Sequence, residues 1–365
     1  MNNILFASAH VKRLAGEATL PAKFERLLAQ ADFKSRFADK RVAIKMHVGG
    51  GLGYTTLHPI FVRAVVDAVK AAGGKPFLTD GSFSTDAAVA RGYTPEVVGA
   101  RVVGAGGEHD QYFYPRTTEV PGLPEIELCG NIVDADAMIV LSHGKGHGNS
   151  GFGGAIKNIA MGCVTCRSRG ALHSLMTSNF AWNEELCTHC EQCVQGCPVG
   201  AVSFSPEGDL RIFEHHCRWC LHCAYTCPVH ALTMEDPGQK FVLFQQGMAA
   251  AVKETLACFD PAQVYFITAL LNVTPLCDCW GFSTPSLIPD QGIIAGDDIV
   301  AMEQAALDMI KVEDLIPGSV PDQMCPLGEE GHLFQRLHGK DPYEQVRQAA
   351  AMGLGSPEYA LQEIE

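Results

Sequence analysis

The chain has 365 residues, of which 47% are hydrophobic and 19% charged, a globular composition with ample material for a core. A formal net charge of −14 argues against nucleic acid, whose phosphates are met by clustered lysine and arginine, and no apolar run of about 18 residues is present to span a membrane. Fifteen cysteines behind an N-terminus, MNNILFASAHVKRL, that lacks an apolar signal core point to thiols kept reduced in a cytoplasm with little oxygen rather than to a disulfide framework.

In chain order, residues 20–33 (LPAKFERLLAQADF) carry apolar residues near a 3.6 period and predict a surface helix. A buried strand, RVAIKMHV at 41–48, leads into the loop GGGLGYTTL, the helix HPIFVRAVVDAVKAAGG and the strand KPFLTDG, a strand–loop–helix–strand unit of a parallel sheet. The loop partly matches a dinucleotide fingerprint, with Asp80 ending the next strand. Thr56 stands where the third glycine is needed, however, and no Walker lysine follows, so the loop is expected to approach an anion or a partner.

Further α/β material follows, including a strand around ARVVGA and a polar, proline-spaced stretch at 108–127. The strand AMIVL then delivers Ser142, His143, Lys145 and His147 to its carboxyl end, where open α/β sheets place their sites, and Lys157 enters the next helix after a run of glycines. His143, Lys145, His147 and Lys157 are the candidate pocket residues. Histidines four apart on a glycine-rich loop lack the helical metal spacing, so their default role is hydrogen bonding or lining the pocket.

The densest signal is C-x2-C-x2-C-x3-C-P, which occurs twice, at 187–198 and 217–228. This is the bacterial two-cluster ferredoxin pattern, in which the fourth cysteine of each run crosses to the other cluster. Cys187, Cys190, Cys193 and Cys227 are assigned to one [4Fe–4S] cluster, and Cys217, Cys220, Cys223 and Cys197 to a second. Zinc, the other habitual ligand of paired cysteines, suits two complete runs with proline less well. Between the runs AVSFSPEGDLRIF predicts a hairpin, and His189, His215, His216 and His222 are expected to pack near the clusters. The insert is expected to span 181–236, flanked by 1–180 and 237–365 as two parts of one α/β domain with a mostly parallel sheet.

Beyond it come a helix at 245–258, a strand at 264–271, the loop NVTPLCDCWGFS, a strand GIIAG and the helix DDIVAMEQAALDMI. Two thiols one residue apart, Cys277 and Cys279, are exposed to oxidation unless ligated or reactive. A third iron–sulfur or other metal site is therefore expected there, with Cys163 the first further ligand and Cys166 the next, and a redox-active dithiol is the competing reading.

RVAIKMHVG with GYTTLHPIFVRAVVDAVKAAGGKPFLTDG, VDADAMIVLSHGKGHGNSGFGGAIKNIAMGC, the two cysteine runs, VTPLCDCWGFS and GLGSPEYALQEI together resemble the ferredoxin-bearing branch of the domain of unknown function 362 family. The resemblance implies an α/β domain with an inserted two-cluster ferredoxin and redox work in anaerobic metabolism. It carries over Cys163, Cys277 and Cys279, but not Cys166 or Cys325. The segment from His147 to Lys157 is also similar in layout to a loop of the nickel-pincer lactate racemases.

The expected function is single-electron exchange with a redox protein partner. The alternatives are a reductase acting on a small anion near His143, His147 and Lys157, and a metal- or cluster-assembly protein. A homodimer is expected only because soluble chains often form one.

Overall fold

The computed structural model describes residues 2–81, 85–176, 180–214, 216–219, 221–234, 237–325 and 327–365. Cys220, His215 and the expected end of the insert at Asp236 lie outside the described residues.

Eight strands form one sheet: β1 (Asn2–Ser8), β2 (Arg41–Lys45), β3 (Lys75–Asp80), β4 (Val102–Gly104), β5 (Ala137–His143), β6 (Val264–Leu270), β7 (Gly292–Gly296) and β8 (Tyr359–Glu363). Their spatial order is β8-β1-β7-β6-β5-β2-β3-β4. The run from β6 to β4 is parallel, as is β8 beside β1, and β7 is antiparallel to both its neighbours. The class is thus α/β with a large, mostly parallel sheet flanked by helices.

Side chains alternate across a strand, and both faces are buried. Val42, Ile44, Ile139 and Leu141 pack on one face under α1 (Leu20–Gln30) and α2 (Pro59–Ala71). Ala43, Met138 and Val140 pack on the other under α3 (Ala155–Gly162), α5 (Pro237–Leu256) and α6 (Ile299–Asp308). Each fully buried aliphatic side chain stabilises the fold by roughly 1.5–3 kcal/mol. No helix among the described residues is long and apolar enough to cross a membrane.

Three local expectations change. The helix expected at 20–33 stops at Gln30, because Asp32 turns left-handed (φ 46°) before a short second helix, Phe33–Phe37. The stretch at 108–127 contains an antiparallel hairpin of Phe113–Val120 with Leu123–Cys129, whose Ile126 and Leu128 are buried. The helix placed at 245–258 begins already at Pro237, since proline is tolerated in a first turn, where its missing N–H has no helical partner to lose.

The cysteine runs lie in a segment with two small antiparallel pairs, Phe180–Trp182 with Leu232–Met234 and Val202–Phe204 with Leu210–Ile212. The second pair is the hairpin expected from AVSFSPEGDLRIF.

Candidate functional site

A cavity of ≈ 390 Å³ opens at the carboxyl ends of β6, β5, β2 and β3. Lys45, Asp80 and His143 are the last residues of their strands, and His47 follows two residues beyond β2. His147 comes from the glycine-rich loop and Lys157 and Asn158 from α3, while α4 (Cys166–Ser174) contributes Arg169 and His173. Cys277, Asp278 and Cys279 come from the loop after β6.

Asp80 is buried and accepts four donors: Lys45 Nζ (2.9 Å), the Gly81 amide (2.9 Å), His47 Nδ1 (2.8 Å) and the Val48 amide (3.1 Å). Burial alone would raise its carboxyl, but the charges of Lys45 and His47 and their hydrogen bonds prevail and hold it well below the usual range. Lys45 also donates to Asn158 Oδ1 at 2.6 Å, and the Asn158 amide donates to Leu141 O and Ser142 Oγ, which ties α3 to the strand ends.

A second buried pair sits behind the cysteine loop. Lys145 Nζ donates to Asp278 Oδ1 (2.6 Å), Thr55 O (2.8 Å) and Thr55 Oγ1 (2.9 Å). His143 Nδ1 meets Asp278 Oδ2 at 2.9 Å and Nε2 meets Leu271 O at 2.5 Å. Both ring nitrogens face oxygens that only accept. Burial lowers Lys145, and the Asp278 charge opposes this. The glycine loop at 49–53 braces the same structure: Leu52 N donates to Gly281 O, and Thr55 Oγ1 to Ser283 Oγ at 2.8 Å. Gly51 (φ 50°) packs so closely on Gly281 that a Cβ there would collide with its carbonyl. The loop thus supports the Cys277–Cys279 turn.

Cys277 and Cys279 are paired through their sulfurs. His147 joins them, each ligand atom within 4.8 Å of the others, a donor set suited to a thiophilic metal. His147 Nδ1 accepts the Asn149 and Ser150 amides at 3.1 Å each, which fixes the orientation of the ring. Lys157 Nζ lies 3.6 Å from both sulfurs. Burial, with Lys45 and Arg169 adding to it, pushes Lys157 down to about 8.

The structure groups His147 with the pair, rather than the expected Cys163. Cys163 ends α3 inside the core, its amide bonded to Ile159 O, and burial pushes its thiol up to about 12. Cys166 is exposed, with its sulfur 2.8 Å from Arg169 Nη2.

The two cysteine runs share one backbone form. His189 and Trp219 (φ 52° and 55°) and Glu191 and Leu221 (φ 58° and 62°) are left-handed at matching positions, ahead of the short helices Gln192–Gln195 and His222–Tyr225. A non-glycine residue pays roughly 1–2 kcal/mol for that conformation. The Ala201 amide donates to Cys197 Sγ (3.1 Å) and the Ala231 amide to Cys227 Sγ (3.2 Å). Cys193 is raised by burial and by its neighbours Cys187 and Cys227, whereas Cys197, Cys217 and Cys223 line a second cavity with Val199 and Ala201. Cys190 is exposed, while Cys217 and Cys223 are buried.

The buried run docks on the main cavity. His216 stacks on Trp280 (5.6 Å, 10°), the residue after Cys279, and Phe213 meets the same ring edge-on at 5.4 Å. Lys340, 1% exposed, donates to Cys217 O (2.9 Å), Glu214 O (3.1 Å) and Gly148 O, and lies 4.6 Å above the Trp219 ring. Arg218 Nε donates to Leu337 O at 2.8 Å.

Residues 42–308 match the family model described as Domain of unknown function (DUF362). The chain belongs to the DUF362 family. The matched span holds the whole cavity and both cysteine runs, while Lys340 and β8 lie beyond it. No curated protein matches the chain. Among solved structures it is similar to the lactate racemase apoprotein from Thermoanaerobacterium thermosaccharolyticum, at 12% identity and a TM-score of 0.37 over 68% of this chain. The chain spans about half (49%) of that structure's length.

Of the sequence candidates, His143, His147 and Lys157 line the DUF362 cavity, and Lys145 supports it from behind. Lys45, His47, Asn158, Arg169, His173 and Asp278 line it without having been singled out. Asp80, visible in the sequence only as the acid of a weak nucleotide match, is the partner of Lys45 and His47.

Proposed function

We propose that this DUF362 protein is an iron–sulfur electron-transfer protein of a reducing cytoplasm. Cys187, Cys190, Cys193 and Cys227 would hold one [4Fe–4S] cluster, and Cys217, Cys220, Cys223 and Cys197 the second. The matched left-handed turns and the amides aimed at Cys197 and Cys227 fit thiolate-held clusters, which tolerate a costly backbone form only when something common to both runs requires it. When bound, such clusters supply one electron each at low potential.

The observation that carries the reading is the docking of the Cys217 run on the Cys277–Cys279 loop through His216 and Trp280. The exposed Cys190 end would face a redox protein partner, and the net charge of −14 would steer the encounter toward a basic surface. At the pocket, two electrons and two protons break the Cys277–Cys279 bond, so that each sulfur takes one electron and one proton. Lys157, 3.6 Å from both sulfurs, is placed to give up one of those protons. The reduced pair with His147 is the candidate third metal centre.

Stepwise anaerobic titration of the purified protein with dithionite is expected to consume about four electrons per chain, two at the clusters and two at the sulfur pair. The Cys277→Ser/Cys279→Ser variant should consume about two on the same accounting. Equal uptake by both proteins would remove the sulfur pair from the electron path, and no uptake by either would sink the electron-transfer reading.

A further inference from the structure

The two cysteine runs share a backbone form but sit in opposite electrostatic surroundings. Residues 184–198 hold Glu184, Glu185 and Glu191, all exposed, and no lysine or arginine. Residues 211–228 hold Arg211 and Arg218 against Glu214 alone. To this second run the fold adds Lys340, from 123 residues further along the chain than Cys217.

Lys340 is buried, and its three hydrogen bonds all go to carbonyls, of Cys217, Glu214 and Gly148, not to a carboxylate. Three oxygens that only accept match the three N–H donors of an ammonium, whereas a neutral amine would turn its lone pair on one of them. The preceding residue, Gly339 (φ 68°), is pressed so closely on the run that a Cβ there would lie 2.5 Å from Arg218 O, which fixes where Lys340 enters. The Cys217 sulfur and the Glu214 carboxyl are the negative groups that act on Lys340, and both favour its charged form. Glu214 is itself raised by burial, which Lys340 opposes, and it makes no ion pair with the ammonium. A thiolate-held cluster is anionic and gains a further negative charge on reduction. A buried cation beside it therefore stabilises the reduced form more than the oxidised one.

We propose that Lys340 makes the Cys217 cluster the higher-potential member of the pair, so that electrons entering at the exposed Cys190 end settle beside Trp280 and the Cys277–Cys279 loop. The transfer moves one electron and no bond or proton. This deepens the electron-transfer reading and rests on its cluster assignment. Anaerobic potentiometric titration of the full chain, followed by electron paramagnetic resonance, tests it. Wild type should show two one-electron midpoints at least a tenfold preference apart, about 59 mV. In Lys340→Gln, which keeps two N–H donors but no charge, the upper midpoint should fall by at least the same tenfold and the lower by less than half as much. Lys340→Arg keeps the charge and should hold the upper midpoint closer to wild type than to Lys340→Gln. The sign separates charge from packing, because loosened packing admits water, which favours the more highly charged reduced form and raises the potential. Lys340→Met should show the same fall and takes the place of Lys340→Gln if that variant loses a cluster, as judged by iron content. An upper midpoint unchanged or raised in the neutral variants, an equal fall in Lys340→Arg, or wild-type midpoints less than tenfold apart would overturn the proposal. Any of these results with clusters that still reduce refutes only this proposal, whereas a chain with no reducible cluster refutes the electron-transfer reading with it.

Discussion

Asp80→Asn is expected to destabilise the protein by about 3–5 kcal/mol at neutral pH, the usual cost of leaving one member of a buried ion pair without its partner. Lys45 is 1% exposed and would be left with only neutral acceptors beside it. The new amide NH2 would also have to face a donor, since each Asp80 oxygen now accepts two. Urea unfolding of both proteins from pH 3 to 8 measures the effect and its pH dependence. The folded Asp80 carboxyl is held below its unfolded value of about 3.9, so its contribution is complete above about pH 5 and lost as pH falls toward the folded value. The difference between wild type and variant should therefore be flat from pH 6 to 8 and shrink below about pH 4. A loss under about 1 kcal/mol at pH 7 would show that the pair is not desolvated as described.

Lys340→Met should act at a distance from the cavity but on the same assembly. Three carbonyls, of Gly148, Glu214 and Cys217, lose one ammonium donor, and the Trp219 ring loses its cation. Hydrogen bonds to charged groups contribute about 1.5–3 kcal/mol each, so a loss of about 3–5 kcal/mol is expected once relaxation is allowed. The effect should be local as well as global. Hydrogen exchange at residues 213–219 and 147–150 should accelerate far more than exchange in β2 or β5, because Lys340 is the tie between those two loops. Uniform acceleration across the sheet would mean that Lys340 is only a core residue.

Much of the fold was legible because its strands are buried on both faces and read as apolar runs, as in AMIVL and VYFITALL. Elements that obey backbone rules hidden from periodicity were not. The break after Gln30 depends on one left-handed aspartate, and the hairpin at 113–129 has a strand, LPEIELC, whose apolar residues do not alternate cleanly. At the site, His143, His147 and Lys157 stand on one stretch of chain at a strand end, where topology alone makes them suspects. Arg169 and His173 lie on α4, which has little amphipathic patterning, and meet the cavity only because α4 folds back after Cys163. Asp278 was hidden between two more conspicuous cysteines. Its partners, Lys145 and His143, are far away in sequence and become neighbours only through the parallel pairing of β5 with β6. The grouping of His147 with the sulfur pair likewise follows from where two loops cross, which no spacing rule encodes.

A joint iron and acid-labile sulfide determination on anaerobically purified protein reads out whether the eight cysteines of the two runs hold iron–sulfur clusters. About eight irons and eight sulfides per chain are expected. A protein with zinc in place of iron, and no labile sulfide even after anaerobic reconstitution, would contradict that assignment.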